Sequence, residues 1–345
     1  MQQSNFDNRI RYSADSQDEP VTTSIFQLIV RDHNHHPMLI QLLYRDKSAP
    51  SRSVSQIVTQ ISICLLLGVA YISASWASTY PTLLDSIDPS LQQALERELD
   101  TLSLTSAVEN NHLSVTVVDI TDPETPRSAE VNGELNMYSA SLPKIAILLG
   151  AMQKVEDGDL ELTPAFEQQL TNMIRNSSNA DASSVLDKVG APYLADLLQS
   201  DPYKLYKEGS GGLWVGRPYS RGPVWKRDPI NNISHGASSH EVARFYYLLA
   251  TDRLVSPEYC AVMTEILSEP AINHKFVRGL KEYPDADVMR KSGTWRTYHS
   301  DSALVKRDGR QYIVVALAND PQGSKWLEEI APMADRIVFD TANEQ

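Results

Sequence analysis

Ser141-Leu142-Pro143-Lys144 sets a hydroxyl and an amine three residues apart at what reads as the start of a helix. Side chains at that spacing share one helix face. The amine can therefore take the proton of a hydroxyl that is by itself a weak nucleophile. A lysine does this only if burial or neighbouring cations lower its pKa. The helix N-terminus adds partial positive charge, which favours a developing oxyanion. The chemistry this allows is acyl transfer, with Ser141 as nucleophile and Lys144 as base.

Two further groupings fit the same chemistry. Ser177-Ser178-Asn179 falls at a break between helical patterns. A second hydroxyl there can relay a proton to a leaving amine, and an Asn side chain can hydrogen-bond a substrate amide. Lys291-Ser292-Gly293-Thr294-Trp295 falls on a strand pattern, where Lys291 and the hydroxyls could hold a carboxylate. Gly293 would leave room for a substrate backbone against the strand. Singly, each grouping reads as well as a helix start, a turn or a protected edge strand. The chain holds one S-x-x-K, one S-x-N and one K-[ST]-G, in that order. Together they carry weight.

Elements able to position these residues can be read around them. Pro89 opens a helix with Leu91, Leu95, Leu99 and Leu102 on one stripe, and Leu113, Val115 and Val117 alternate as a strand. The spacing of Ile145, Leu148, Leu149, Met152 and Val155 predicts a helix from Ser141 to Glu156, its early Pro143 tolerated in the first turn. Thr163-Pro164 caps another helix. Residues 201–234 are rich in Gly, Pro, Tyr and Trp without a sustained period, a functional loop rather than a disordered one. Helices over Ser239–Thr251 and Ser256–Leu267 follow. Strands over Val288–Thr294, Ser300–Val305 and Tyr312–Ala318 come next, the last two joined at Asp308-Gly309, and a helix through Trp326–Val338 closes the chain. The expected fold class is α+β: an antiparallel sheet built from N- and C-terminal strands and flanked by helices, with an inserted all-helical domain. Residues 85–343 form this domain, 85–140 and 252–343 its sheet part and 141–251 its helical part.

Composition bounds the rest. A net charge of −13 excludes a nucleic-acid binder, since no basic surface could neutralise phosphates. Two cysteines exclude a disulfide framework, and no Cys/His cluster has metal-site spacing, so neither metal nor cofactor is expected. From Ser53 to Leu84 no residue is charged, and Ile57–Ala77 is long and apolar enough to cross a bilayer. Arg45, Lys47 and Arg52 precede it, while Asp85 and Asp88 follow. Residues 53–78 are thus expected to be a transmembrane signal anchor or a cleaved signal peptide. Residues 1–52 would be a cytoplasmic leader without an interpretable motif, and the domain from about residue 80 would lie outside the inner membrane. Nothing in the sequence sets an oligomeric state.

Over about residues 89–339 the three groupings and their supporting elements resemble the penicillin-recognising serine enzymes, the class A β-lactamases and penicillin-binding D,D-peptidases. The resemblance implies that Ser141 is acylated with Lys144 as base, Ser177 shuttles a proton and Lys291 supports it. It also implies that Asn179 binds the substrate amide and that Ser292 and Thr294 hold its carboxylate. Backbone N–H groups of Ser141 and Thr294 would form the oxyanion hole. Substrates would be β-lactams or peptidoglycan stem peptides. Three departures stand out. No E-x-x-L-N motif supplies the water-activating Glu of class A enzymes, and Glu208 and Asp228 lie in the corresponding region without its context. S-S-N replaces the usual S-D-N. Ser141 and Ser177 are only 36 positions apart (177 − 141). The expectation is therefore a compact β-lactamase-like serine hydrolase. D,D-carboxypeptidase or transpeptidase is the alternative enzyme, and a non-hydrolysing penicillin-binding sensor the alternative of another class. Trp214, Tyr219, Trp225 and Trp295 could wall a substrate site or simply pack. Arg217, Arg221 and Arg296 could meet an anion, and His235 and His299 read as structural.

Overall fold

The computed structural model describes residues 80–342 and, ahead of them, two strands. The chain divides into two compact units, Met1–Ser78 and Thr79–Gln345. In the first, β1 (Thr23–Arg31) pairs antiparallel with β2 (Pro37–Arg45), Thr23 opposite Arg45 and Arg31 opposite Pro37. This ribbon falls in the leader for which the sequence suggested no structure. The membrane segment expected at 53–78 lies outside the described residues. Among those described, no helix is long and apolar enough to cross a membrane.

The second unit runs α1 (Pro89–Thr101), α2 (Thr105–Glu109), β3 (Leu113–Asp119), β4 (Arg127–Val131) and β5 (Met137–Tyr138). Four helices follow: α3 (Lys144–Glu156), α4 (Pro164–Arg175), α5 (Asn179–Val189) and α6 (Ala191–Gln199). Short strands β6 (Tyr206–Lys207), β7 (Gly211–Gly212), β8 (Trp214–Val215) and β9 (His235–Ala237) lead to α7 (Ser239–Ala250), α8 (Pro257–Leu267) and α9 (Phe276–Gly279). Three long strands, β10 (Asp287–Trp295), β11 (Tyr298–Arg307) and β12 (Arg310–Asn319), precede α10 (Gly323–Ala342).

Strands from both ends share one antiparallel sheet in the order β10-β11-β12-β3-β4. Both faces are covered, so β3 is buried along its whole length rather than alternating in and out of water. Leu113, Val115 and Val117 pack into one core with Leu91, Leu95 and Leu99 of α1 and Ile330, Ala334 and Ile337 of α10. On the opposite face Ser114 and Thr116 lie where water cannot reach them. Their hydroxyls each meet the Ser239 hydroxyl of α7 at 2.7 Å, which satisfies polar groups that would be costly to bury alone. Helix α7, grouped with the helical part by the sequence, rests on β3, β11 and β12.

Helix α3 is the pillar of the helical part. Lys144 through Met152 are all buried, as an α-helix that is apolar all round must be, and it packs against α4, α5, α6 and α8. The regular helix begins at Lys144, three residues later than the sequence pattern predicts. Residues 139–146 instead form a tighter turn, with Leu142 N–H donating to Ser139 O and Lys144 N–H to Ser141 O. In such a turn side chains at i and i+3 eclipse, which sets Ser141 and Lys144 on one side.

Candidate active site

Ser141 follows Ala140, whose φ of +52° puts a residue with a Cβ in the left-handed region. The bend is held from both flanks. Ser139 N–H donates to His235 O of β9 at 3.0 Å, and Ser300 Oγ of β11 donates to Ser139 O at 2.7 Å. Ser141 itself is half-buried and its hydroxyl makes no hydrogen bond among the described residues, so it faces the cleft unengaged.

Lys144, fully buried, reaches the second grouping. Its Nζ donates to Ser177 O at 2.6 Å and Asn179 Oδ1 at 2.8 Å, with Ser177 Oγ at 3.3 Å. Burial lowers its pKa to about 7, against the opposing pull of the Asp181 carboxylate. A neutral amine has two N–H groups, and the two shortest contacts use both. Its lone pair is then free to accept a proton, while the Tyr219 ring lies over it at 4.7 Å. The direct Ser141–Lys144 hydrogen bond is not made here; such contacts often tighten only with substrate bound.

Ser177, at φ +54°, turns the chain between α4 and α5, and Ser178 caps α5 by accepting from Asp181 N–H. This frees Ser177 Oγ to accept from Lys291 Nζ at 2.9 Å, across 114 residues of sequence. Burial drives the Lys291 pKa well down, and the charges of Lys144 and Arg290 add to that effect. The first, second and third groupings therefore meet at one hydroxyl.

Strand β10 brings the third grouping in edge-on. A Cβ on Gly293 would come within 2.3 Å of Ser139 O and 2.6 Å of Ser141 N. The space that glycine vacates is thus filled by the turn that carries Ser141, not by a substrate backbone as the sequence suggested. Thr294 lines the cleft, whereas Ser292 is buried with its hydroxyl 3.2 Å from His274 Nε2. Behind the strand stands Lys275, a residue the sequence did not single out. Its Nζ donates to Gly293 O at 2.6 Å, Thr294 Oγ1 at 2.9 Å and Ser300 O at 3.0 Å. Arg290 fixes this loop: it forms a bidentate pair with Asp301 at 2.7 Å and donates to Ile272 O and His274 O.

The cleft, of about 470 Å³, opens between the end of β10 and the 216–235 loop. Ser141, Asn179 and Thr294 lie on its floor and edge; Tyr138, Tyr219, His235, Trp295 and Tyr298 supply its aromatic walls. Trp295 is 56% exposed, whereas Trp214 is in the core, its Nε1 donating to Lys226 O. His235 is held neutral by burial, with a pKa of about 4, and both ring nitrogens are engaged, by Ser234 Oγ and Arg217 O. His299 is buried behind the strand edge, away from the cleft lining. No carboxylate lines the cleft among the described residues. Glu208 is exposed on the β6–β7 turn, and Asp228 is buried, accepting from Tyr206 OH and from Asn231 N–H at 2.6 Å.

Solved structures share this fold at low identity. A β-lactamase from Sphaerobacter thermophilus is 18% identical over 70% of this chain and 98% of its own, with a TM-score of 0.55. A structure of PBP-A is 17% identical over 77% of this chain and all of its own, with a TM-score of 0.56. A representative class A β-lactamase from Bacteroides cellulosilyticus gives 15%, 75%, 100% and 0.54. A mutant of PBP-A with the same fold was captured as an acyl-enzyme complex with penicillin G. No curated protein matches the chain. Residues 94–199 and 165–338 match the Beta-lactamase enzyme family, a span of well over half of the 345 residues. The chain belongs to the β-lactamase enzyme family.

Proposed function

We propose that this protein is a serine acyl-transfer enzyme, acylated at Ser141 by β-lactams and by peptides ending in D-alanyl-D-alanine, whose acyl-enzyme with β-lactams is long-lived. One observation carries the acylation half: the Lys144 amine, buried and poised near neutrality, meets Ser177, which Lys291 holds from the other side. Ser141 Oγ attacks the substrate carbonyl carbon and gives its proton to Lys144. N–H groups of Ser141 and Thr294 face the oxyanion. The carbonyl carbon–nitrogen bond breaks, and the departing nitrogen receives a proton through Ser177 Oγ, restored from Lys144. The products are an ester at Ser141 and a free amine.

Deacylation needs a base beside a water molecule. Among the described residues the cleft lining offers no carboxylate, and the His235 nitrogens are occupied. We therefore put a D,D-peptidase-like enzyme that is trapped by β-lactams ahead of an efficient β-lactamase, reversing the order in which the sequence ranked them. The charge-free run at 53–78 with its basic leading flank supports an anchored enzyme working outside the inner membrane.

The test is to incubate the full-length protein with a fluorescent penicillin, a chromogenic cephalosporin and a D-alanyl-D-alanine peptide. A persistent covalent label, slow cephalosporin turnover and release of D-alanine are expected. The label should vanish in Ser141→Ala, whose fold is unperturbed because this hydroxyl holds nothing else. Rapid cephalosporin turnover would restore the β-lactamase reading. A label without peptide turnover would favour a sensor, and a label surviving in Ser141→Ala would remove the nucleophile assignment.

A further inference from the structure

The protein is acidic, at −13, yet its cleft is not. Three arginines line it: Arg217 and Arg227 from the loop wall, and Arg296 from the turn after β10. Among the described residues none of the three forms an ion pair. Arg217 and Arg227 each donate only to a loop carbonyl, Gly222 O at 3.4 Å and Asn232 O at 3.1 Å, and Arg296 lies near the Trp295 ring. By contrast, Arg127, Arg175, Arg244, Arg290 and Arg307 all hold carboxylates at 2.9 Å or less. Outside the cleft, Arg278 and Arg336 also meet carboxylates, whereas Arg97, Arg221 and Arg310 form no ion pair among the described residues. The cleft keeps three unneutralised, in a concavity that focuses the field.

The carboxylate that a penicillin or a D-alanyl peptide carries on its leaving-group side belongs at the Thr294 edge, which Lys275 backs from within. Arg217 and Arg227 stand on the other wall, so that carboxylate does not account for them. We propose that the cleft selects acyl donors bearing a second carboxylate on the acyl side, that is, dianionic amides such as peptides with an acidic side chain or a free side-chain carboxyl near the scissile bond. Arg217 and Arg227 are the specificity-determining residues, their planar forks suited to bidentate carboxylate binding. This inference rests on the acyl-transfer reading of Ser141.

Penicillin G and carbenicillin make a matched pair, since carbenicillin differs by one added carboxylate on the acyl side chain. The second-order rate constant for acylation of the full-length protein is measured with each. Carbenicillin is expected to react roughly tenfold faster at about 0.01 M ionic strength, a lead that shrinks toward about 1 M salt as screening tightens. The ratio of the two rates should fall to near one in an Arg217→Gln, Arg227→Gln variant. Equal rates, or a slower dianion, in the unaltered protein would overturn the inference. Equilibrium binding of the same pair to Ser141→Ala, read by calorimetry, separates this from failure of the acylation reading. If neither compound acylates but carbenicillin still binds more tightly, the nucleophile reading fails and the selectivity stands. Equal binding removes the selectivity as well.

Discussion

The proton on Lys144 should control acylation, and its effect can be worked from the structure. Burial brings the amine to about 7, and only the neutral form can take the Ser141 proton. The neutral fraction is then about one-eleventh at pH 6 and about ten-elevenths at pH 8, so the acylation rate should rise about tenfold between them and level off above. Lys291 shares the Ser177 hydroxyl and titrates with Lys144 as a pair, burial and the neighbouring charges pushing its own pKa well down. The assay is stopped-flow or gel-based labelling with a fluorescent penicillin from pH 5 to 9, beside Lys144→Ala. The variant should lose at least about a hundredfold and show a flat profile. A rate still climbing tenfold per pH unit at pH 9 would mean an ordinary, solvated lysine. A rate falling with pH would require an acid rather than a base, and either result refutes the argument.

Four further outcomes follow from the same contacts. Because the folded amine holds its proton less tightly than the unfolded one, the unfolded chain carries the extra proton between about pH 7 and 10.5. Stability should therefore rise with pH across that window, more steeply in the unaltered protein than in Lys144→Met, as urea midpoints at pH 7 and 9 would show. Gly293→Ala drives a methyl into Ser139 O and Ser141 N and should cost about 1–3 kcal/mol together with nearly all labelling, read by thermal melting and penicillin binding. Asp301→Ala strands the buried Arg290 and should cost about 3–5 kcal/mol by urea denaturation. Glu208→Gln, on an exposed turn away from the cleft, should leave the acyl-enzyme lifetime unaltered, and a longer lifetime would make that Glu the missing base.

Local periodicity determined much of this protein. The α3 pattern, the Thr163 cap, the late hairpin and the alternation in β3 are short-range properties of the chain, and each produced its element near the expected place. So did the three reactive groupings, because spacing of three on a turn, or a break between helices, is set by neighbouring residues. What the sequence left open depends on segments far apart. The start of α3 moved to Lys144 because Ser300 and His235, distant in sequence, grip the turn before it. Gly293 serves the approach of β10 to that turn, and Ser292 faces His274, because sheet register and loop packing choose those faces. Lys275 and the Arg290–Asp301 pair were invisible for the same reason. The two facts that matter most for the chemistry are a lysine near neutrality and a cleft lined, among the described residues, by arginines but no carboxylate. Both are products of burial and convergence. A residue's type comes from the sequence, but its solvent and its neighbours exist only once the chain has folded.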